Sequence, residues 1–151
     1  MNTRRGITVI EVLMVIAIVG ILTRMSVSLF ARLANSTSVD RDVSVVASYI
    51  ERARTLSINS VSSVVHGIKF QTNTVTVFKT STYSVANTES TYAIPSKSKI
   101  SSINLTGGAT SIYFDKLTGV PSATGTITMM LYDNTNPRTI TIYGTGVVDI
   151  Q

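Results

Sequence analysis

Residues 1–24 read MNTRRGITVIEVLMVIAIVGILTR, and the fold turns on how that run is understood. From Ile7 to Leu22 almost every side chain is Ile, Val, Leu, Met or Ala, and the one charged group is Glu11. As a helix this segment rises about 24 Å, slightly short of a hydrocarbon core of about 30 Å. Met25, Val27, Leu29 and Phe30 carry the apolar character past Arg24, whose long side chain can snorkel to an interface. The run is therefore expected to form one membrane-spanning helix. A basic start followed by an apolar run also describes a secretory signal peptide, but Gly20-Ile21-Leu22-Thr23-Arg24-Met25 offers no clean small-residue cleavage site. Arg4 and Arg5 precede the run, which places that end in the cytoplasm and the rest of the chain outside.

Glu11 sits about one turn into the run. An ionisable side chain at the centre of a spanning helix costs about 3 kcal/mol on insertion scales, and less near its ends. The residues alone leave three readings of Glu11 open: an acid near the interface, a protonated acid, or an acid with a partner.

Working outward, 151 residues leave room for one domain. The hydrophobic content of 44% is concentrated in the N-terminal run, and beyond about Asn59 the chain is dominated by Ser, Thr and β-branched residues. The formal charge of +5 is carried by basic residues scattered singly, apart from Arg4-Arg5 and Arg52/Arg54. With no basic patch and no interleaved aromatics, a nucleic-acid partner is not expected. Cysteine is absent, which excludes disulfides, thiolate metal sites and cysteine nucleophiles.

Val39, Val43, Val46, Ile50 and Ala53 are spaced four, three, four, three, one face of a helix, with Asp40, Arg41, Ser44, Ser48, Glu51 and Arg52 on much of the rest. This is the pattern of an amphipathic helix packing on a sheet. From Val64 the period becomes two. Residues 64–70 and 74–79 alternate as a hairpin around Gln71-Thr72-Asn73. A polar loop is expected over 80–90. Further strands are expected at 92–94, 100–105, 111–115, 126–132, 139–143 and 147–150, with Pro95, Gly107-Gly108, Gly119, Pro121 and the Asp133–Pro137 turn between them. Short strands at this spacing argue for a compact antiparallel β-rich head.

Catalytic patterns are missing. His66 is the only histidine and falls in an expected strand, where it reads as structural or exposed. Asp115, Asp133 and Asp149 lie near turns or the terminus, where carboxylates bond backbone N–H groups. There is no calcium-loop pattern and no Gly-x-Ser-x-Gly elbow. Gly107-Gly108 lacks the following Lys and helix of a phosphate cradle. Arg52 and Arg54 read as a solvated helix face. No catalytic residue, metal ligand or cofactor site is expected, and an enzyme reading has nothing to rest on.

Gly6, Ile7, Thr8, Val9, Ile10 and Glu11, followed by the apolar run through Gly20-Ile21-Leu22, resemble the N-terminal segment of type IV prepilins and pseudopilins. The resemblance implies cleavage by a prepilin peptidase between Gly6 and Ile7, N-methylation of Ile7, and an assembly role for Glu11, whose carboxylate would face the new amine of a neighbouring subunit. Glycine before the cut suits an extended backbone entering a tight protease site. An α-amino group titrates near 8 and is mostly charged at neutrality. Ser28 stands where many members of the family carry a proline. A weaker resemblance, on residues 48–57 and 112–119, is to the GspH/FimT-type minor pilins. The Gly-Arg-x-Arg motif through which some of these bind DNA has no counterpart in residues 144–151.

The expected architecture is α+β: a long N-terminal helix, transmembrane in its first half and amphipathic in its second, packed on a C-terminal antiparallel β-rich head. The expected divisions are a leader at 1–6, a transmembrane stalk at 7–30, an amphipathic helix at 31–60 and the head at 61–151. The implied function is a minor pilin or pseudopilin of a type IV pilus or a type II secretion pseudopilus. A major pilin, or a membrane-anchored binding module that never polymerises, are the alternatives. The implied partners are other pilin subunits, the prepilin peptidase, an inner-membrane assembly platform and membrane lipid, with the chain in the inner membrane before assembly.

Overall fold

The computed structural model describes residues 8–59, 64–95 and 97–151, with side chains described outside 25–36. The helical residues whose side chains are described form two stretches, α1 (9–24) and α2 (37–58), of 16 and 22 residues. They belong to different compact units, residues 1–35 and residues 36–151.

This corrects the expected architecture. A long N-terminal helix with a transmembrane first half is not what the described residues form, because no helix among them is long and apolar enough to cross a membrane. The physical reason is plain in each stretch. The rise of α1 is about 24 Å, below the thickness of a hydrocarbon core. In α2 the apolar residues occupy one stripe, and Asp40, Arg41, Glu51 and Arg52 interrupt the rest. The expected cut between Gly6 and Ile7 lies outside the described residues.

The second unit is built around α2. Val39, Val43, Val46, Ile50 and Ala53 are all fully buried, so the four-three spacing does mark the face that packs. Against it stand eight strands: β1 (His66–Gln71), β2 (Thr74–Lys79), β3 (Thr88–Ala93), β4 (Ser98–Leu105), β5 (Ser111–Phe114), β6 (Gly125–Leu131), β7 (Arg138–Ile142) and β8 (Val148–Ile150). They form two four-stranded sheets, β3-β2-β1-β5 and β4-β6-β7-β8, in which every pairing is antiparallel.

Alternation decides which side chains enter the core. Ile68 and Phe70 on β1 lie opposite Val77 and Val75 on β2, and all four are buried with Ile112 and Phe114 of β5. The second sheet contributes Ile100, Leu105, Ile127, Met129, Leu131, Ile140 and Ile142 to the same cluster. Burying a side chain of this size is worth about 1.5–3 kcal/mol, which makes this cluster the main source of the unit's stability.

The sheets are joined at the β1–β2 turn. Ile94 N–H donates to the Asn73 carbonyl at 2.8 Å, and Ile100 N–H to the Thr72 carbonyl at 2.8 Å. The Tyr132 hydroxyl donates to Asn73 Oδ1 at 2.7 Å. On the outer face of the first sheet the segment after β2 folds back, setting Tyr83 edge-on to Phe78 with ring centroids 5.4 Å apart. Gly67 makes that face possible, because a Cβ there would occupy the space of the Phe78 ring and the Ile112 carbonyl. Part of the expected 80–90 loop is strand: β3 begins at Thr88.

Candidate assembly site

The apolar surface of α1 and its single acid are the features of the first unit that bear on function. Thr8 precedes the helix and caps it. Its carbonyl accepts from Glu11 N–H at 3.1 Å and from Val12 N–H at 3.3 Å, and its Oγ1 accepts from Glu11 N–H at 3.3 Å. Thr8-x-x-Glu11 is the sequence pattern of a capping box, and an acid in the first turn is favoured by the helix dipole. Sequence reasoning missed this contribution, although the Thr-to-Glu spacing was available to show it. The Glu11 side chain is exposed and lines a shallow groove with Val12, Val15 and Ile16.

Up to Leu22 the remainder of α1 is apolar on every side, and Thr23 and Arg24 close it. Val9, Ile10, Val12, Leu13, Met14, Val15, Ile16, Ile18, Val19, Ile21 and Leu22 are each between 46% and 78% exposed. A helix that is hydrophobic all round belongs inside a larger apolar environment. At about 1.5–3 kcal/mol per buried side chain, covering these eleven residues is worth on the order of 15 kcal/mol or more.

The second unit holds two buried polar clusters. Asp42 lies on the packed face of α2 and is 2% exposed. Its Oδ2 accepts from the buried Ser98 hydroxyl of β4 at 2.6 Å, and its Oδ1 from the Tyr92 hydroxyl of β3 at 3.3 Å. One carboxylate thus ties α2 to both sheets. The Tyr92 ring lies against Tyr49 with centroids 5.6 Å apart. Burial, and then the neighbouring Asp42 charge, hold the Tyr92 phenol above its ordinary pKa of 10.0. Two residues earlier on α2, the exposed Asp40 accepts from Arg138 Nε of β7 at 2.6 Å.

His66 opens β1 and is buried, with Nε2 3.3 Å from Glu89 Oε2. Glu89 was not singled out by the sequence. Arg54, read as a solvated side chain, instead donates from Nη2 to the Thr145 carbonyl at 3.2 Å and lies 3.6 Å from Glu51. Asp133 accepts from Thr135 N–H at 3.0 Å and from its hydroxyl at 2.5 Å, bonds that lower its pKa. Asp149 accepts from Gln151 Nε2 at 3.3 Å. Among the described residues no three acidic or histidine side chains group in a way that could hold a metal ion.

Of the expected site residues, Glu11 is described, and Gly6 and Ile7 lie outside the described residues. No protein family, curated protein or solved structure matches the chain.

Proposed function

We propose that this chain is a structural subunit of a type IV pilin-like filament, a minor pilin or pseudopilin. In this reading a peptidase cuts the chain after Gly6, and Ile7 becomes the methylated N-terminus. α1 then enters a bundle of like helices. The observation that carries the reading is the surface of α1: eleven exposed apolar residues around one acid, Glu11. Such a surface needs an apolar cover, supplied by lipid before assembly and by neighbouring helices afterwards.

Within the bundle a Glu11 carboxylate facing a neighbour's amine adds little net stability, but it fixes the axial offset between subunits, because displacing either charge leaves the other buried alone. The partners are therefore other pilin subunits, with the peptidase and an assembly platform acting on the chain beforehand. The role is structural, not catalytic.

The chain contains no cysteine, so one introduced thiol reports its neighbours without background. An Ile16→Cys chain, treated in cells with a short bismaleimide, is expected to give covalent products with other filament subunits. Recovery of the monomer alone, with the thiol shown to be reactive, would contradict assembly through α1 and favour an anchored module that does not polymerise.

A further inference from the structure

The side of the second sheet turned away from the core carries mostly short hydroxyl side chains. Ile127, Met129 and Leu131 of β6 and Ile140 and Ile142 of β7 are buried, so alternation sends Thr126, Thr128 and Met130, and Thr139 and Thr141, to the other side. Register sets them in rows. Asn104, Thr126, Thr141 and Asp149 lie side by side across β4, β6, β7 and β8, and Ser102, Thr128 and Thr139 form the next row. Neighbours in a row are about 5 Å apart, and successive rows about 6–7 Å. Among the described residues, the side chains of Ser102, Asn104, Thr126, Thr128, Thr139 and Thr141 have no hydrogen-bond partner. No charged side chain stands among them, since Lys99 and Asp149 lie at the margins.

An aromatic ring closes the array at each end. Beyond Met130 the alternation reaches Tyr132, which is 47% exposed. Its hydroxyl donates to Asn73 at 2.7 Å, and Lys99, opposite Met130 in register, sets its Nζ 5.4 Å from the ring centroid. The ring is thus held in place with nearly half of the residue facing solvent. Beyond Thr141 the alternation reaches Tyr143, 46% exposed, whose N–H donates to the carbonyl of the similarly exposed Val147 at 3.0 Å. Gly125 pairs with Ile142, which sets Tyr143 beside Thr124 and separates the two rings by about 25 Å along the strands. We propose that this face binds an extended, uncharged polysaccharide, whose sugar rings stack on Tyr132 and Tyr143 and whose hydroxyls bond the Ser, Thr and Asn side chains between them.

Charge and chemistry select this partner. Nucleic acids and other acidic polymers draw their affinity from Lys and Arg set against their charges, and the centre of this face has none. A lipid surface takes an apolar face. Protein interfaces concentrate their energy in buried aromatic and Arg clusters, in which Ser and Thr are under-represented. A neutral polyol matches what is present. Each Thr hydroxyl both donates and accepts, its methyl group packs against sugar C–H groups, and a Tyr ring offers an apolar body with a polar tip. Neither partner has a charge to strip of water at the centre of the contact. The fixed Tyr132 ring also lowers the cost of ordering the face on binding. Binding here is independent of whether the chain assembles through α1.

The test is co-sedimentation of the full-length chain with powders of cellulose, starch and curdlan, three uncharged glucans. Phosphocholine micelles keep the chain in solution and carry no sugar headgroup to compete. The chain is expected to sediment with at least one of the powders, and to stay bound in high salt, because no ion pair is involved. Tyr132→Ala and Tyr143→Ala should each weaken binding about tenfold, the scale of one lost stacking contact. Thr128→Lys, which sets a charge at the centre of the face, should abolish binding with the circular dichroism spectrum unchanged. Should that variant fail to fold, Ser102→Lys on the exposed strand β4 takes its place, with the same loss expected. Failure to sediment with all three powders would overturn the proposal. So would binding that is lost in high salt, or binding that survives the Tyr and Lys substitutions.

Discussion

Replacing Glu11 with Leu is expected to leave the cellular level of the chain unchanged while cutting its recovery in sheared filaments at least about a hundredfold. Removing one member of a buried ion pair costs about 3–5 kcal/mol because the other is left uncompensated, and each 1.4 kcal/mol is about tenfold in an equilibrium. The isolated chain has much less to lose. Glu11 uses its backbone N–H, not its carboxyl, in the Thr8 cap, and loss of an exposed acid from a first turn costs only about 0.3–1 kcal/mol. The two roles therefore separate by magnitude. Leu also preserves the apolar character of the run. Quantitative immunoblotting of whole-cell and sheared fractions measures both quantities, and normal incorporation of the Leu variant would reduce Glu11 to a capping residue.

The second large effect concerns the folded unit itself. Asp42→Ala is expected to destabilise it by about 2–4 kcal/mol, measured by urea unfolding followed by circular dichroism in detergent. The mutation leaves the fully buried Ser98 hydroxyl without its acceptor and removes the partner of Tyr92. A buried donor left unsatisfied costs about 1–3 kcal/mol, and hydrogen bonds to charged groups are worth about 1.5–3 kcal/mol. Asp42→Asn keeps the volume and one acceptor, so its cost should be about half as large. Because the carboxylate touches β3 in one sheet and β4 in the other, combining Asp42→Ala with Ser98→Ala should cost clearly less than the sum of the single changes. Strict additivity, or a loss below about 0.5 kcal/mol for Asp42→Ala, would show that the cluster does not join the sheets.

Local periodicity made much of the second unit legible. The Val39-to-Ala53 spacing identified the packed face of α2, and alternation from residue 64 onward located most strands to within two residues at each end. The division into two sheets was not legible, because it depends on which strands pair over long distances, and alternation along one strand carries no information about its neighbour. Asp42 was legible in principle: it lies three residues after Val39 and four before Val46, on the buried face, and a carboxylate there requires donors. The identity of those donors, Tyr92 and Ser98, depends on tertiary structure. Glu89 was illegible for a sharper reason, since its approach to His66 depends on an irregularity in the β2–β3 register. The membrane-spanning expectation was not met: the apolar run is a strong compositional signal, yet no helix among the described residues is long and apolar enough to cross a membrane.

The filament account depends most on what becomes of the first six residues in the cell. Intact-mass and N-terminal peptide analysis of the chain recovered from cells that assemble it measures this directly. The account predicts a chain that begins at Ile7 and carries one methyl group on its α-amine, with residues 1–6 absent. A chain that retains Met1, or begins elsewhere than Ile7, would contradict it.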